Sequence, residues 1–160
     1  ELGSGVSTLL ASYCLKKNGL GRVISLDHEH EYAEKTSSLI QSHGLGEFAT
    51  VIHAPLVDVS INDNAWKYYD LEKAGVNHLV EKIDVLVVDG PPRTIQKQAR
   101  YPALPLLIEN LAKEFIILLD DGSRRDEAAS VKQWLNEYDG LEAEYIDLQK
   151  GAYLIKGRKK

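Results

Sequence analysis

Glu1-Leu2-Gly3-Ser4-Gly5-Val6-Ser7-Thr8 opens the chain, and the two glycines of this run decide how the rest is read. Gly3-Ser4-Gly5 suits a turn from a strand end into a helix, where glycine reaches backbone angles closed to other residues and lets a ligand approach the main chain. Residues 7–17 continue as a helix. Leu9, Leu10, Tyr13 and Cys14 fall on one side of it, Ser7 or Thr8 is placed to cap its first turn, and Gly19 stands beyond its end. The next apolar run, residues 22–27, closes on Asp27, about 20 residues after the glycines, where a carboxylate accepts hydrogen bonds from ribose hydroxyls. A glycine turn followed by a helix and an acid-ended strand is the layout of a nucleoside-cofactor site. The third glycine of a dinucleotide fingerprint would stand at position 8, which is Thr8, so that fingerprint is incomplete.

Outward from this run, apolar stretches recur at residues 51–53, 83–89 and 115–121. Runs of Val, Ile and Leu without alternation indicate strands covered on both faces, a property of parallel sheets. Between them, Tyr32, Thr36, Leu39, Ile40 and His43 follow a helical stripe closed by Gly44, and residues 104–112 and 128–138 make two more helices. Residues 142–148 and 152–156 are strand-like and separated only by Gln149-Lys150-Gly151, which predicts a hairpin. The expected fold is α/β: a three-layer, doubly wound, Rossmann-like sheet, mostly parallel, closed by a C-terminal antiparallel hairpin, with ligands at the carboxyl ends of the strands. Residues 55–81, which include Trp66, Tyr68 and Tyr69, read as a long connection with some local structure.

The 160 residues, 44% of them apolar, suit a single domain over residues 1–160. Because Glu1-Leu2-Gly3 reads as the end of a strand, an upstream N-terminal segment is expected to precede it. No window approaches the ~18 consecutive apolar residues of a membrane span, and no signal-peptide pattern opens the chain. Cys14 is the single cysteine, which rules out an intramolecular disulfide or a thiolate cluster and is compatible with the cytoplasm. A net charge of -5 argues against an electrostatic grip on nucleic acid, despite the basic residues 156–160. A small-molecule acceptor is the expected partner, and a homodimer the assembly the reading allows.

These segments together resemble the class I S-adenosylmethionine-dependent methyltransferase family, and a bacterial small-molecule subgroup within it. Its first motif is similar to Glu1-Leu2-Gly3-Ser4-Gly5-Val6-Ser7-Thr8, its second to Val23-Ile24-Ser25-Leu26-Asp27-His28. Val85-Leu86-Val87-Val88-Asp89-Gly90-Pro91-Pro92 resembles the fourth motif and Ile117-Leu118-Leu119-Asp120-Asp121-Gly122-Ser123 the strand after it. The resemblance implies S-adenosylmethionine as cofactor, with Glu1, Gly3, Ser4 and Gly5 around its methionine part, Ser7 and Thr8 in the same loop, Asp27 at the ribose and His28 beside the adenosine. The acid the family often carries after its third strand is missing from His53-Ala54-Pro55.

Asp89, held by the turn Gly90-Pro91-Pro92, is the first catalytic candidate and also a candidate cofactor contact; capping the turn is its structural alternative. Asp120 and Asp121 end the neighbouring strand in the same register, so Asp121 is the second candidate. Clustered acids admit two chemistries: a general base toward a hydroxyl acceptor, or Asp89 and Asp121 as oxygen ligands of a divalent metal, as in catechol-type O-methyltransferases. The metal resemblance calls for Asn after Asp121, where this chain has Gly122, so a metal is not favoured. Arg100, Tyr101 and Arg124 are candidate substrate-binding residues, since a guanidinium fork matches a carboxylate or phosphate; surface ion pairs such as Arg124–Glu127 are the alternative. Trp66, Tyr68 and Tyr69 read as anchors of the long connection before walls of an acceptor pocket. The histidines show no ligand-like spacing beyond His28-x-His30. The expected activity is methyl transfer to an oxygen of a small molecule. A nicotinamide-dependent oxidoreductase and a catalytically silent nucleoside-binding module are the alternatives.

Overall fold

The computed structural model describes residues 1–79 and 82–159, so the expectation for residues 55–81 falls outside the described residues at 80 and 81. The chain divides into two compact units, one of Glu1–Val57 and Tyr69–Leu79, the other of Asp58–Tyr68 and Val80–Lys160. Both are α/β.

In the first unit α1 (Val6–Asn18), β1 (Val23–Asp27), α2 (His30–Ser42) and β2 (Ala49–His53) alternate. β1 and β2 pair in parallel from Val23↔Ala49 to Asp27↔His53. Leu2 bridges Leu26 in parallel; Leu26 N–H donates to Glu1 O, and Gly3 N–H to Leu26 O, both at 2.9 Å. The start of the chain thus lies along β1 and enters the glycine turn from an extended conformation. α2 buries Ala33, Thr36 and Ile40, spaced as one helical face requires, and Ile40 packs with Leu45 and Ala49 against Leu9, Val23, Phe48 and Val51.

α1 differs from the expectation. Its buried residues are Thr8 and Ser12, whereas Val6, Leu10 and Tyr13 are exposed, as is Cys14. Of the expected stripe, Leu9 packs against the core, while the fully buried positions make polar contacts: Ser12 Oγ donates to Thr8 O at 2.6 Å, and the Thr8 hydroxyl serves the loop described below. Gly19, at φ 73°, closes the helix and donates to Leu15 O.

The connection after β2 holds a hairpin that the sequence reading left as irregular: β3 (Leu56–Ile61) and β4 (Asn64–Tyr69). Its two-residue turn is Asn62-Asp63, both at positive φ, 51° and 62°, the backbone of a type I′ turn that Asn and Asp tolerate. Tyr68 and Tyr69 are fully buried and Trp66 lies 4.9 Å, centroid to centroid, from Tyr101, so these aromatics anchor the segment. The short helix α3 (Val76–Leu79) follows.

The second unit contains β5 (Ile83–Val88), α4 (Ala103–Leu107), a 3₁₀ turn at Ile108–Asn110, β6 (Leu111–Asp120), α5 (Arg125–Glu137), β7 (Leu141–Ile146) and β8 (Ala152–Arg158). The strand order is β5-β6-β8-β7. β5 and β6 are parallel, while β8 is antiparallel to both β6 and β7. The helix expected over 104–112 is cut short because fully buried Leu111 pairs with Ile83 in the sheet, and burial there outweighs local helix preference. On one face of the sheet Leu86, Val88, Ile117, Leu119 and Ile155 are buried, together with Trp134 of α5. The indole N–H of Trp134 donates to Tyr101 O at 2.9 Å. The other face is more open, with Val85 at 54% and Ile116 at 37% exposure. The expectation of strands covered on both faces therefore does not hold at these two positions: no described residue packs over them as fully as over the opposite face. Beside them a cavity of about 540 Å³ is lined by Asp84, Glu114, Glu142 and Lys156 among others. It lies at the start of β5 and β6, away from the acids that end those strands.

Candidate functional site

In the first unit the glycine turn is organised by two carboxylates. Asp27 is 6% exposed. Its Oδ2 accepts the Ser4 N–H at 3.0 Å and the Ser4 hydroxyl at 2.7 Å, and its Oδ1 accepts the Glu29 N–H at 3.0 Å. Ser4 Oγ also lies 3.1 Å from Thr36 Oγ1. The acid at the end of β1 thus ties the turn to the start of α2. Glu1 is the second carboxylate: its Oε2 accepts from the Ser25 hydroxyl at 2.9 Å and from the Thr8 hydroxyl, while Thr8 Oγ1 accepts the Gly5 N–H at 3.0 Å. Gly5, not Ser7 or Thr8, occupies the N-cap position, so Thr8 supports the first turn from inside the helix. Ser7 is exposed.

Three observations show what this loop can hold. The Oε1 atom of Glu1 is buried and has no hydrogen-bond partner among the described residues, leaving an anionic acceptor suited to a cationic donor such as an ammonium. Gly3 has φ 95°, which demands glycine. Gly5 has an extended φ of 162° and a Cβ there would meet no atom within 4 Å, so neither backbone nor packing requires glycine, and its lack of a side chain leaves open space above the helix start. His28 is partly buried, its Nδ1 3.7 Å from Asp27 Oδ1 and its Nε2 3.6 Å from Glu29 Oε1, with its ring edge-on to Tyr69 at 6.2 Å.

In the second unit the strand ends bring together Asp89, Asp120 and Asp121, each with a carboxylate oxygen within 4.8 Å of the others. Arg100 occupies the middle of this group and is 4% exposed. Its Nη2 donates to Asp89 Oδ1 at 2.9 Å, to Asp89 O at 3.0 Å and to Asp121 Oδ2 at 2.8 Å; its Nη1 donates to Asp120 O at 2.7 Å. Arg124 Nη1 meets the same Asp121 oxygen at 2.8 Å and Glu127 Oε1 at 3.6 Å. Glu127, 3% exposed, lies 3.9 Å from Arg100 Nε. Three carboxylates thus face two guanidinium groups, the Asp120 carboxylate stands beside them, and exposed Lys150 lies 4.0 Å from Asp121 Oδ1.

This arrangement redistributes the predicted roles. Arg100 is turned inward with its guanidinium committed to protein acids. Tyr101 is 1% exposed and donates its hydroxyl to Glu137 Oε2 at 2.7 Å; burial, then the Glu137 carboxylate, pushes its ionisation well above the ordinary tyrosine value. Neither presents a group to an acceptor. Arg124, one-third exposed, is the accessible arginine of the three candidates. Asp121 is buried under its two arginines in a left-handed conformation, φ 55°. Asp89 is 44% exposed. Desolvation by the surrounding protein pushes its pKa up to about 6; Arg100 opposes the rise, and the Asp120 and Asp121 carboxylates add to it.

The donor set does not fit a divalent cation well. The Asp89 and Asp121 oxygens that would face it already receive Arg100. Nor does position 122 admit a ligand side chain, since a Cβ on Gly122 would stand 2.9 Å from backbone atoms of Ala152. Sequence reasoning missed Ser25 and Thr36 as supports of the loop and took Glu127 for a surface partner. Ser25 carried a signal, a lone hydroxyl inside the apolar run Val23-Ile24-Ser25-Leu26; Thr36 carried none, because Ser4 is 32 residues away, and Glu127 was legible only as the neighbour of Arg124, since its burial beside Arg100 depends on the fold.

A family described as "Methyltransferase domain" matches residues 1–122. No curated protein sequence matches the chain. Among solved structures, the fold is similar to the O-methyltransferase TomG of Streptomyces achromogenes, solved with S-adenosylmethionine, at TM-score 0.70 and 14% identity over 99% of this chain and 71% of that one. It is also similar to a methyltransferase of Podospora anserina solved with S-adenosylhomocysteine, at TM-score 0.65 and 13% identity over 99% and 71%. A methyltransferase of Geobacter sulfurreducens matches at TM-score 0.60 and 15% identity over 86% of this chain, which spans 59% of the other's length.

Proposed function

Since the chain belongs to the methyltransferase-domain family, we propose that it transfers a methyl group from S-adenosylmethionine to an oxygen of a small-molecule acceptor. The observation that carries the cofactor assignment is the glycine turn with the unpartnered Glu1 Oε1 and the open space at Gly5. On this reading Glu1 receives the amino group of the methionine part, Gly3, Ser4 and Gly5 let it approach the main chain, and Asp27 and His28 serve the ribose and adenosine. Asp27 can do so because a carboxylate has about four acceptor positions and the loop uses three. Ser7 and Thr8 belong to the same loop, Thr8 by bracing Glu1. The fold reading that goes with this function is the three-layer, doubly wound sheet with its C-terminal hairpin, in a cytoplasmic protein.

When bound, the sulfonium supplies an electrophilic methyl group, and its departure leaves a neutral thioether. The residues of the chain then have little covalent chemistry to perform, and alignment is their main contribution. Asp89 is the group we assign as general base: it is accessible, and a pKa near 6 leaves it ionised at neutral pH yet basic enough to take a hydroxyl proton as the acceptor oxygen bonds to carbon. Arg124 is the residue available to an anionic acceptor. The acid cluster and the net charge of -5 favour a small molecule over nucleic acid.

Calorimetry with S-adenosylhomocysteine and with NAD, followed by methyl transfer to a panel of phenols, catechols and amines, tests the proposal. Binding of the first alone with turnover on hydroxyl acceptors is the expected result. Binding of NAD instead would assign an oxidoreductase, and S-adenosylhomocysteine binding with no turnover on any acceptor would assign a silent nucleoside-binding module.

A further inference from the structure

An arginine with 4% of its surface exposed is costly to desolvate unless its donors are met by acceptors that stay in place. Arg100 meets this condition at its two terminal nitrogens, with two main-chain carbonyls and two carboxylates, while its Nε has no hydrogen-bond partner among the described residues and faces Glu127 Oε1 at 3.9 Å. Through Asp89 O it is fastened to the end of β5 and through Asp120 O to the end of β6, so its fork is fixed by the sheet, and the Asp89 carboxylate is fixed by the fork. Asp121 locks the same Nη2 from the other side. Three carboxylates this close otherwise repel and invite a hard cation.

We propose that Arg100 is the positioning residue for the general base, its guanidinium taking the place between Asp89 and Asp121 that a divalent cation would fill, so that the reaction needs no bound metal. The inference rests on the assignment of Asp89 as base. Arg100 touches neither donor nor acceptor; it aims the Asp89 carboxylate and holds its affinity for protons in check. The other groups facing the cluster do not replace it. Arg124 of the α5 N-terminus places its Nη1 on Asp121 and Glu127 and not on Asp89, Lys150 of the β7–β8 link approaches Asp121, and Asp120, Asp121 and Glu127 add negative charge. Loss of the guanidinium therefore leaves Asp89 among acids alone, and its titration moves upward.

The test is carboxylate ¹³C NMR of the full chain, with Asp89 assigned by comparison with Asp89→Asn, in the wild type, Arg100→Lys and Arg100→Met. The Asp89 midpoint should lie near pH 6 in the wild type, rise by about one pH unit or more in Arg100→Met, and take an intermediate value in Arg100→Lys, which keeps the charge and loses the fork. Millimolar Mg²⁺ should leave the wild-type Asp89 and Asp121 signals unmoved and shift them in Arg100→Met. Where turnover is measured, the acid limb of the pH–rate profile should follow the same displacement, with S-adenosylhomocysteine affinity unchanged within about threefold. An Asp89 titration indifferent to both substitutions overturns the proposal, as does a wild-type cluster that binds Mg²⁺; the latter is read without any variant. The NMR readouts need no methyl transfer, so failure of the methyltransferase reading shows separately, as absent cofactor binding or turnover.

Discussion

The main-chain N–H and the hydroxyl of Ser4 both donate to one oxygen of Asp27, at 3.0 and 2.7 Å. The residue we propose as the ribose contact therefore also shapes the glycine turn beside it. Asp27→Asn tests this double role. With Glu29 N–H on one oxygen and Ser4 N–H on the other, either orientation of an asparagine amide sets its NH₂ against a fixed main-chain donor. A buried mismatch of this kind costs about 1–3 kcal/mol. The variant should melt at lower temperature and bind S-adenosylhomocysteine about tenfold or more weakly by calorimetry. Unchanged affinity would remove Asp27 from the site.

Gly3 and Gly5 look equivalent in sequence and should behave differently when replaced by alanine. Gly3 sits at φ 95°, so a Cβ there strains the backbone and should cost about 1 kcal/mol or more of stability. Gly5 is extended with nothing near its missing side chain, so Gly5→Ala should melt like the wild type and yet lose cofactor affinity. Thermal denaturation paired with calorimetry separates the two. Equal effects of both substitutions on both readouts would contradict the assignment of the space at Gly5 to a ligand.

These contrasts also mark what could be read from the sequence. The alternation of strands and helices and the parallel pairs β1–β2 and β5–β6 follow from local pattern and lie close to their expected places. The β3–β4 hairpin did not, although Asn62-Asp63 is a turn signal, because the flanking aromatics suggested an anchored loop. The orientation of α1 was misjudged for a different reason: a helical stripe of Leu10, Tyr13 and Cys14 predicts an apolar inner face, but Thr8 and Ser12 hold the inner positions. Arg100 was illegible in principle. Its partners Asp120 and Asp121 lie 20 and 21 residues away, and only the fold reveals whether an arginine points outward to an acceptor or inward to acids.

The pH dependence of Asp89 carries a sign that can be checked on stability alone. Its pKa is raised in the folded protein, from 3.8 to about 6, first by desolvation, with Arg100 opposing and Asp120 and Asp121 contributing. The folded state therefore holds this proton more tightly than the unfolded chain does. The associated stabilisation is complete below pH about 4 and is lost as pH rises through 6. Asp89→Asn, which cannot ionise, should gain melting temperature over the wild type at pH 7–8 and lose that advantage toward pH 4. If Asp89 is the general base, wild-type turnover should fall on the acid side with a midpoint near pH 6, and the Asn variant should bind S-adenosylhomocysteine while turning over at least a hundredfold more slowly. A melting difference that is constant with pH would show that Asp89 titrates normally.

Gly122 offers the sharpest test of the proposal that this acid cluster works without a metal. Asp121 follows the last residue of β6 in a left-handed conformation, and the next residue passes so close to the start of β8 that Gly122 N–H donates to Gly151 O at 2.9 Å. A Cβ at 122 would lie 2.9 Å from both Cα and the carbonyl carbon of Ala152, main-chain atoms of a paired strand that cannot turn aside as a flexible side chain would. Gly122→Asn, the substitution that would add an oxygen ligand after Asp121, should therefore displace the β6–α5 turn from β8 at a cost of about 1–3 kcal/mol. Because Arg100 still fills the space between Asp89 and Asp121, the variant should acquire no Mg²⁺ affinity in return. Denaturant titration and Mg²⁺ calorimetry read the two effects independently. A variant that keeps wild-type stability and binds Mg²⁺ would mean that glycine at this position, and not the guanidinium, is what keeps the metal out.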